Sequence, residues 1–418
     1  LEVDNGTVVV LSGAGASNAI DGLMRTVAGL LQENGLPVKF FDVSRATNED
    51  WGGLLSFLMS GRVRFALSFL GIGQDFQVKL GEAGETVNAW EHANIPFIKL
   101  HGDSPAYFLK RHLDVPLTGV NLYYFDEHLE FRRWMHPEAR SIAGMVDPYL
   151  ISDTPPDTID FESRKRGTLV FLKNGGSPHE LMTLWRQKLP ESMSDELIEL
   201  ALAIVQPALK PGRFLFHQFV LDHLDRKRID PRGLREIVRL YVAQLDDYVR
   251  RVKANMVVKA LLPFPVIIHG AGWDHLDLAG ARAQVAPPLD FETTGKVFQT
   301  QLGVIDMTPN VDGCGHDRML RAAGTYAFGL PNKSSWLEGL LPELNARAYE
   351  FSEDSITVSV DRALKNPSEC VELAQAYGRA YRRRYDAGAW VDRLTALADM
   401  SRLQSDRDKP VLQPFFVW

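Results

Sequence analysis

The chain alternates short, continuous apolar runs with amphipathic stretches, the rhythm of parallel strands joined by helices. Thr7 to Leu11 (TVVVL) is a β-branched run, followed by Ser12-Gly13-Ala14-Gly15-Ala16-Ser17 and by a helical stretch from Asp21 to Asn34 with Leu23, Val27, Leu30 and Leu31 on one face. Val38 to Val43, Val63 to Leu70, Phe97 to Leu100, Asn121 to Phe125 and Met145 to Ile151 continue the series, so the first half reads as a doubly wound parallel sheet. Ser152 to Gly167, rich in proline and charge, reads as the crossing to a second sheet that opens at Thr168 to Leu172. Pro178 to Leu261 is helical by period, with Ser194 and Asp230-Pro231 as start signals. The sheet resumes at Pro265 to His269, and Phe291 to Gln301 predicts a helix. Gly303 to Leu330 then predicts strand, loop, helix (His316 to Tyr326) and strand. Ala348 to Phe351 and Ile356 to Val360 read as short elements, Pro367 to Arg384 as a long helix, and the stretch after Trp390 as a terminal one.

In open parallel sheets ligands bind beyond the carboxyl ends of the strands, so the loops there hold the candidate chemistry. The loop from Pro309 to Gly315 brings Asn310, Gly313 and Gly315 ahead of a helix whose N-terminus favours an anion. His316 or Asp317 can cap that helix, and Arg318 and Arg321 add charge suited to phosphate. Lys173-Asn174-Gly175 after the second-half strand is a similar loop, readable as support for a diphosphate or as a plain turn with an exposed lysine. Trp273 ends another strand, where an indole either stacks on a nucleobase or fills the core. His101 and Asp103 follow the Phe97 strand and are the candidates for acid or base work near an acceptor, a turn or helix cap being the plainer reading of Asp103. Gly13 and Gly15 with Asp42 make a partial dinucleotide fingerprint, which keeps an NAD(P)-dependent oxidoreductase open as a rival, although the third glycine is absent.

A net charge of −7 argues against a sequence-independent nucleic-acid binder, so no nucleic-acid partner is expected. The two cysteines, Cys314 and Cys370, give neither a disulfide framework nor a zinc spacing, which suits a reducing, cytoplasmic setting. No apolar run is long enough for a membrane span, no signal peptide is recognised, and Leu1-Glu2 in place of methionine reads as the start of a trimmed or tagged chain. Asp406-Arg407-Asp408 lies in a charged tail, so no metal site is expected.

The succession of an apolar strand, Asn310, glycines, His316-Asp317-Arg318, Ala322 and Ala323 resembles the CgeB-like (spore maturation) branch of the GT-B glycosyltransferases. Val266 to Trp273 (VIIHGAGW) is similar to that family's strand ending in glycine and tryptophan, and Ile95 to Pro105 (IPFIKLHGDSP) to its segment ending in Asp-x-Pro. The resemblance implies an α/β GT-B fold with two Rossmann-like domains facing a cleft. Residues 1–155 would form the acceptor domain, with Gly13 and Gly15 on the acceptor side. Residues 165–390 would form the donor domain with a helical insertion at 178–261, and 391–418 would cross back to the first domain. It also implies a hexosyltransferase-like, retaining enzyme that takes a UDP-, GDP- or dTDP-linked sugar as substrate, with no further cofactor or metal. The acceptor would be a protein, lipid or saccharide. Donor contacts would come from Lys173, Asn174, Gly175, Trp273, Asn310, Gly313, Gly315, His316, Asp317, Arg318 and Arg321, and catalytic groups from His101 and Asp103. Many members carry a glutamate for the nucleotide ribose where this chain has Arg321, which leaves a non-catalytic sugar-nucleotide binder as a further reading.

Overall fold

A computed structural model describes residues 6–13, 19–80, 84–113, 115–148 and 158–404. The chain divides into two compact units, Leu1–Leu150 with Tyr385–Trp418, and Ile151–Arg384. The first unit contains β1 (Thr7–Ser12), α1 (Ala19–Glu33), β2 (Val38–Asp42), α2 (Asn48–Leu58), β3 (Val63–Phe69), the pair β4 (Gln77–Lys79) and β5 (Thr86–Asn88), α3 (Ala89–His92), β6 (Phe97–His101), β7 (Gly119–Tyr123), α4 (Asp126–Met135) and β8 (Ile142–Met145). The second contains α5 (Phe161–Arg164), β9 (Leu169–Leu172), α6 (Pro178–Lys188), α7 (Glu191–Leu209), α8 (Phe216–Arg226), α9 (Arg235–Leu261), β10 (Ile267–His269), β11 (Gln284–Ala286), α10 (Phe291–Thr300), β12 (Gly303–Ile305), α11 (Asp317–Gly324), β13 (Phe328–Leu330), α12 (Ser335–Leu340), α13 (Pro342–Asn345), α14 (Glu353–Lys365) and α15 (Pro367–Arg384). The last helix, α16 (Ala387–Gln404), packs in the first unit.

The first unit is built on a six-stranded parallel sheet ordered β2-β1-β3-β6-β7-β8. Its central strands are apolar on both faces because helices cover both, and Val8 to Leu11 are fully buried. Trp90 and Phe97 meet edge to face at 5.0 Å in a core that also takes Phe41, Leu54 and Leu58. The last strand falls at Ile142–Met145, ahead of the expected Met145 to Ile151, because Val120 to Tyr123 of β7 supply the ladder for Ile142 to Met145 while Pro148 has no N–H to give. Residues 149–151 lie outside the described residues. α16 is tied down by Trp390 Nε1 donating to the Asp147 carbonyl at 2.8 Å and by Ser401 Oγ donating to the Thr118 carbonyl at 2.8 Å.

The second unit has a five-stranded parallel sheet ordered β11-β10-β9-β12-β13. Between β9 and β10 the expected helical stretch resolves into α6 to α9. The long helix α9 buries Val238, Tyr241, Val242, Leu245, Tyr248 and Val249, the spacing of a stripe facing α7 and α8. Ile356 to Val360, read as a short element, belongs to the helix α14, whose cap Ser352 accepts from Ser355 N and whose buried Ile356, Val360 and Ala363 recur at helical spacing. Among the described residues no helix is long and apolar enough to cross a membrane.

Candidate functional site

The second sheet reverses direction between β9 and β12, since β10 and β11 extend it one way and β13 the other. The crevice at the carboxyl ends of these two strands is therefore the place where an open α/β sheet receives a ligand. Asp306, next after β12, is fully buried there. Its Oδ1 accepts from Arg318 Nη1 at 3.1 Å and lies 3.2 Å from His316 Nδ1, while its carbonyl accepts from Tyr349 Oη at 2.7 Å. His316 is the backbone N-cap of α11, and its Nδ1 also stands 2.8 Å from Asp317 Oδ1. Burial opposes a charge on this ring, yet Asp317 and Asp306 outweigh it and raise the His316 pKa. Burial likewise works against both carboxylates, but His316, then Arg318, hold Asp306 and Asp317 below the usual range. The result is an ordered cluster of Asp306, His316, Asp317 and Arg318 in which, among the described residues, only Nη1 of Arg318 is engaged, so the other edge of the guanidinium keeps its donors.

Lys173 lies across the crevice, after β9, its backbone N donating to the His269 carbonyl at 2.9 Å. Its amine makes no hydrogen bond or ion pair with a described residue. Burial first, then the nearby positive charges of Arg318 and Arg250, bring its pKa down to about 8. Arg250 on α9 pairs with Asp246 one turn back at 2.8 Å, and Asp246 Oδ1 accepts from Asn310 Nδ2, also at 2.8 Å. That bond holds Asn310 in the left-handed region, φ 54°, where asparagine is tolerated. The same helix clamps the loop after Lys173, as Asn255 Nδ2 donates to the Gly176 carbonyl at 2.9 Å and Arg251 Nη1 to the Ser177 carbonyl at 3.4 Å. Lys173, Arg250 and Arg318 thus gather at one pair of strand ends. Among the described residues no group of His, Cys, Asp or Glu stands ready to hold a metal ion.

Several expected donor contacts are used by the protein itself. Trp273 is 2% exposed, donates Nε1 to the Lys173 carbonyl at 3.2 Å and packs so closely on Gly175 that a Cβ there would come within 2.5 Å of the indole. It fills the core and has no face for a nucleobase, so of its two readings the core one holds. An added Cβ at Gly175 would meet both that indole and the Gly272 carbonyl at 2.5 Å, and one at Gly315 would meet the Trp336 ring. Arg321 turns away from the crevice: Nη1 donates to Thr294 Oγ1 at 2.7 Å, Nη2 to the Phe291 carbonyl at 2.8 Å, and the guanidinium lies over the Phe291 ring. It fastens α11 to α10, because position 321 is one turn past Arg318 and faces the neighbouring helix. Asn174 is exposed and accepts from Ala271 N at 3.1 Å, and Gly313 is exposed in its loop.

In the first unit His101 is fully buried, not at an open edge. Its ring stacks on His112 at 4.1 Å and on Tyr123 at 4.8 Å, and Nε2 donates to Asn121 Oδ1 at 3.0 Å. Burial, with Lys99 next, pushes its pKa well below the ordinary histidine value. Asp103 is half-buried in the loop after β6. Gly13 closes β1 with Ile72 3.3 Å from where a Cβ would sit, and Gly15 lies outside the described residues. Asp42 accepts from Ser44 N at 3.0 Å and Ser44 Oγ at 2.6 Å, so its carboxylate is turned into its own loop. Sequence reasoning left out Asp246 and Arg250 as site residues. Their signal was a charged i, i+4 pair on the buried stripe of α9, which looks like a solvated face until the helix is packed.

No family model matches the chain, and no curated protein matches it in sequence. Among solved structures it is similar to an alpha-glucosyltransferase in complex with UDP and a 13-mer DNA containing a HMU base, with a TM-score of 0.53 and 10% identity over 94% of this chain and 99% of that one. A second alpha-glucosyltransferase complex with UDP and such a DNA gives a TM-score of 0.51 and 9% identity over the same shares. The likeness is one of fold, the two Rossmann-like units of the GT-B glycosyltransferases. It also overturns the expectation that excluded nucleic acid, since these neighbours are held in complexes with DNA. Net charge sums the whole surface, whereas a nucleic acid meets one face of it.

Proposed function

We propose that the protein is a glycosyltransferase that moves a sugar from a nucleoside-diphosphate sugar, bound by the second unit, to an acceptor bound by the first. The observation that carries this reading is the pair Lys173 and Arg318, two cations with uncommitted donors at the carboxyl ends of β9 and β12. Their mutual repulsion is relieved when an anion lies between them. As the bond from the anomeric carbon to the diphosphate oxygen breaks, negative charge grows on the leaving group. Donors already fixed in place, Arg318 by the buried Asp306, then stabilise it more than they stabilise the intact donor. In this reading the two side chains and the N-terminus of α11 neutralise the diphosphate without a divalent ion. Retention of configuration rests on the CgeB-like motif resemblance. Asp103, which keeps exposed surface, is the acceptor-side candidate that remains in reach of a substrate.

A thermal-shift series tests the class. UDP, GDP or dTDP at a hundredfold excess over Kd adds about 2.7 kcal/mol to the folded state, whereas NAD adds nothing. Stabilisation by NAD with none by any diphosphate overturns the proposal. Loss of sugar transfer on chelation, restored only by a divalent ion, overturns its metal-independent part.

A further inference from the structure

In the first unit the connection from β6 to β7 lies against the last residues of both strands. It carries a short 3-10 helix, Leu109–His112. From Tyr107 to Leu113 the one buried side chain is His112, so its ring anchors that stretch. The ring stacks at 4.1 Å on His101, the last residue of β6, and His101 stacks at 4.8 Å on Tyr123, the last residue of β7. Hydrogen bonds to backbone carbonyls add to this anchor: Gln74 Nε2 donates to Lys110 at 3.0 Å, Arg132 Nε to His112 at 3.2 Å and Lys99 Nζ to Leu113 at 2.8 Å.

Both rings fit this place only in the neutral form. His101 Nε2 donates to Asn121 Oδ1 at 3.0 Å, and Asn121 is oriented by its own Nδ2, which donates to Ser141 Oγ at 3.0 Å. The bare nitrogen of His101 is therefore Nδ1, which is buried and has no partner. His112 Nδ1 stands 2.9 Å from Tyr123 Oη, and its Nε2 is likewise buried without a partner. A proton added to either ring makes both nitrogens donors and leaves at least one N–H with no acceptor. The charged groups around the pair oppose that proton too. Lys99 on β6 and His128 and Arg132 on α4 act on both rings, and Lys110 and Arg111 flank His112 in sequence. Glu127 on α4 is buried and Asp103 after β6 is half-buried, but neither is among the leading influences on either ring.

We propose that the segment from Ser104 to Leu113 is an acid-operated flap: protonation of His101 and His112 drives it off the carboxyl ends of β6 and β7 while the sheet beneath stays folded. The closed flap binds fewer protons than the open one, so opening grows as pH falls below the free histidine value of about 6.5. Each freed ring multiplies the opening equilibrium by about 30 between pH 7.5 and pH 5, and two rings by about 900. The inference does not rest on the glycosyltransferase reading.

The test is amide hydrogen exchange at pH 7.5 and pH 5, corrected for intrinsic rates, on wild type, His112→Gln and the double variant His101→Gln/His112→Gln. Arg111 N, which donates to the Phe108 carbonyl at 2.8 Å, and Tyr107 N, which donates to the Ser104 carbonyl at 3.1 Å, report on the flap. Glutamine does not titrate and can still bond Tyr123 Oη. The readout is the ratio between the two pH values, which lost packing alone does not change, so a destabilised variant still answers. In wild type, opening of the Ser104 to Leu113 segment should rise at least tenfold on acidification, while Val8 to Leu11 of β1 stay protected. His112→Gln should cut that rise by tenfold or more, and the double variant should abolish it. The inference is overturned if the wild-type rise stays below tenfold, if β1 shows the same rise, which would mean global unfolding, or if the double variant keeps a rise of tenfold or more.

Discussion

Replacing Arg318 by alanine should produce two separable losses. The first is stability. Asp306 is fully buried and Arg318 Nη1 stands 3.1 Å from it, with the arginine side chain 19% exposed. Removing one partner of a buried pair costs about 3–5 kcal/mol when the remaining charge is stranded. Here His316 still lies 3.2 Å from the same oxygen, so we expect less than that, about 2–3 kcal/mol. In a unit of this size that is a fall in Tm of about 5–10 °C. Asp306→Asn should remove most of the difference, so that the double variant is more stable than the sum of the single ones. The second loss is affinity. One charge-assisted hydrogen bond to a diphosphate is worth about 1.5–3 kcal/mol, a weakening of about ten- to a hundredfold for UDP. Differential scanning calorimetry reads the first loss and isothermal titration the second, the latter best done in the Asp306→Asn background where stability is matched. If UDP affinity is equal with and without Arg318 in that background, the arginine serves only to neutralise Asp306 and the diphosphate has been put in the wrong place. If Tm does not move, the argument from the buried pair fails.

Two further outcomes follow from the titrating groups. Lys173 has a pKa of about 8 and must be protonated to hold a diphosphate, so UDP affinity should be greatest below that value and fall as pH rises through it. Lys173→Met should flatten that profile between about pH 7 and 9.5, and an unchanged slope in the variant removes the lysine from the site. His101 and His112 are both pushed well below the ordinary histidine pKa, mainly by burial. The unfolded chain takes up protons at these rings below about pH 6.5 while the folded one does not, so their stability contribution is complete above that value and declines as pH falls below it. Urea titrations at pH 7.5 and 5 should therefore show a drop in unfolding free energy that His101→Gln reduces, and an equal drop in the variant would assign the acid sensitivity elsewhere.

The alternating β and α elements and the doubly wound character were legible in the sequence because they depend on local patterns: apolar runs for strands buried on both faces, helical spacing for α7 and α9, and the Asp230-Pro231 start signal, whose aspartate accepts from Arg232 N. The segment from Asp306 to Arg318 was equally visible as a place where charge accumulates beside glycines. What tertiary structure alone decided was the direction of each side chain. Arg318 and Arg321 lie one turn apart on the same short helix, yet one pairs with Asp306 and the other binds Thr294 and Phe291, a difference set by which neighbour each meets. Gly175 and Gly315 carry the composition of a ligand loop, but the atoms that need their missing Cβ belong to Trp273, the Gly272 carbonyl and Trp336. His101 looked like an imidazole at an open edge until β7 and His112 closed over it. Lys253 and Asp246 sit on an apolar stripe whose period says only that it is buried. Whether a buried charge finds a partner depends on residues more than fifty positions away, such as Asn310, and no local pattern encodes that distance.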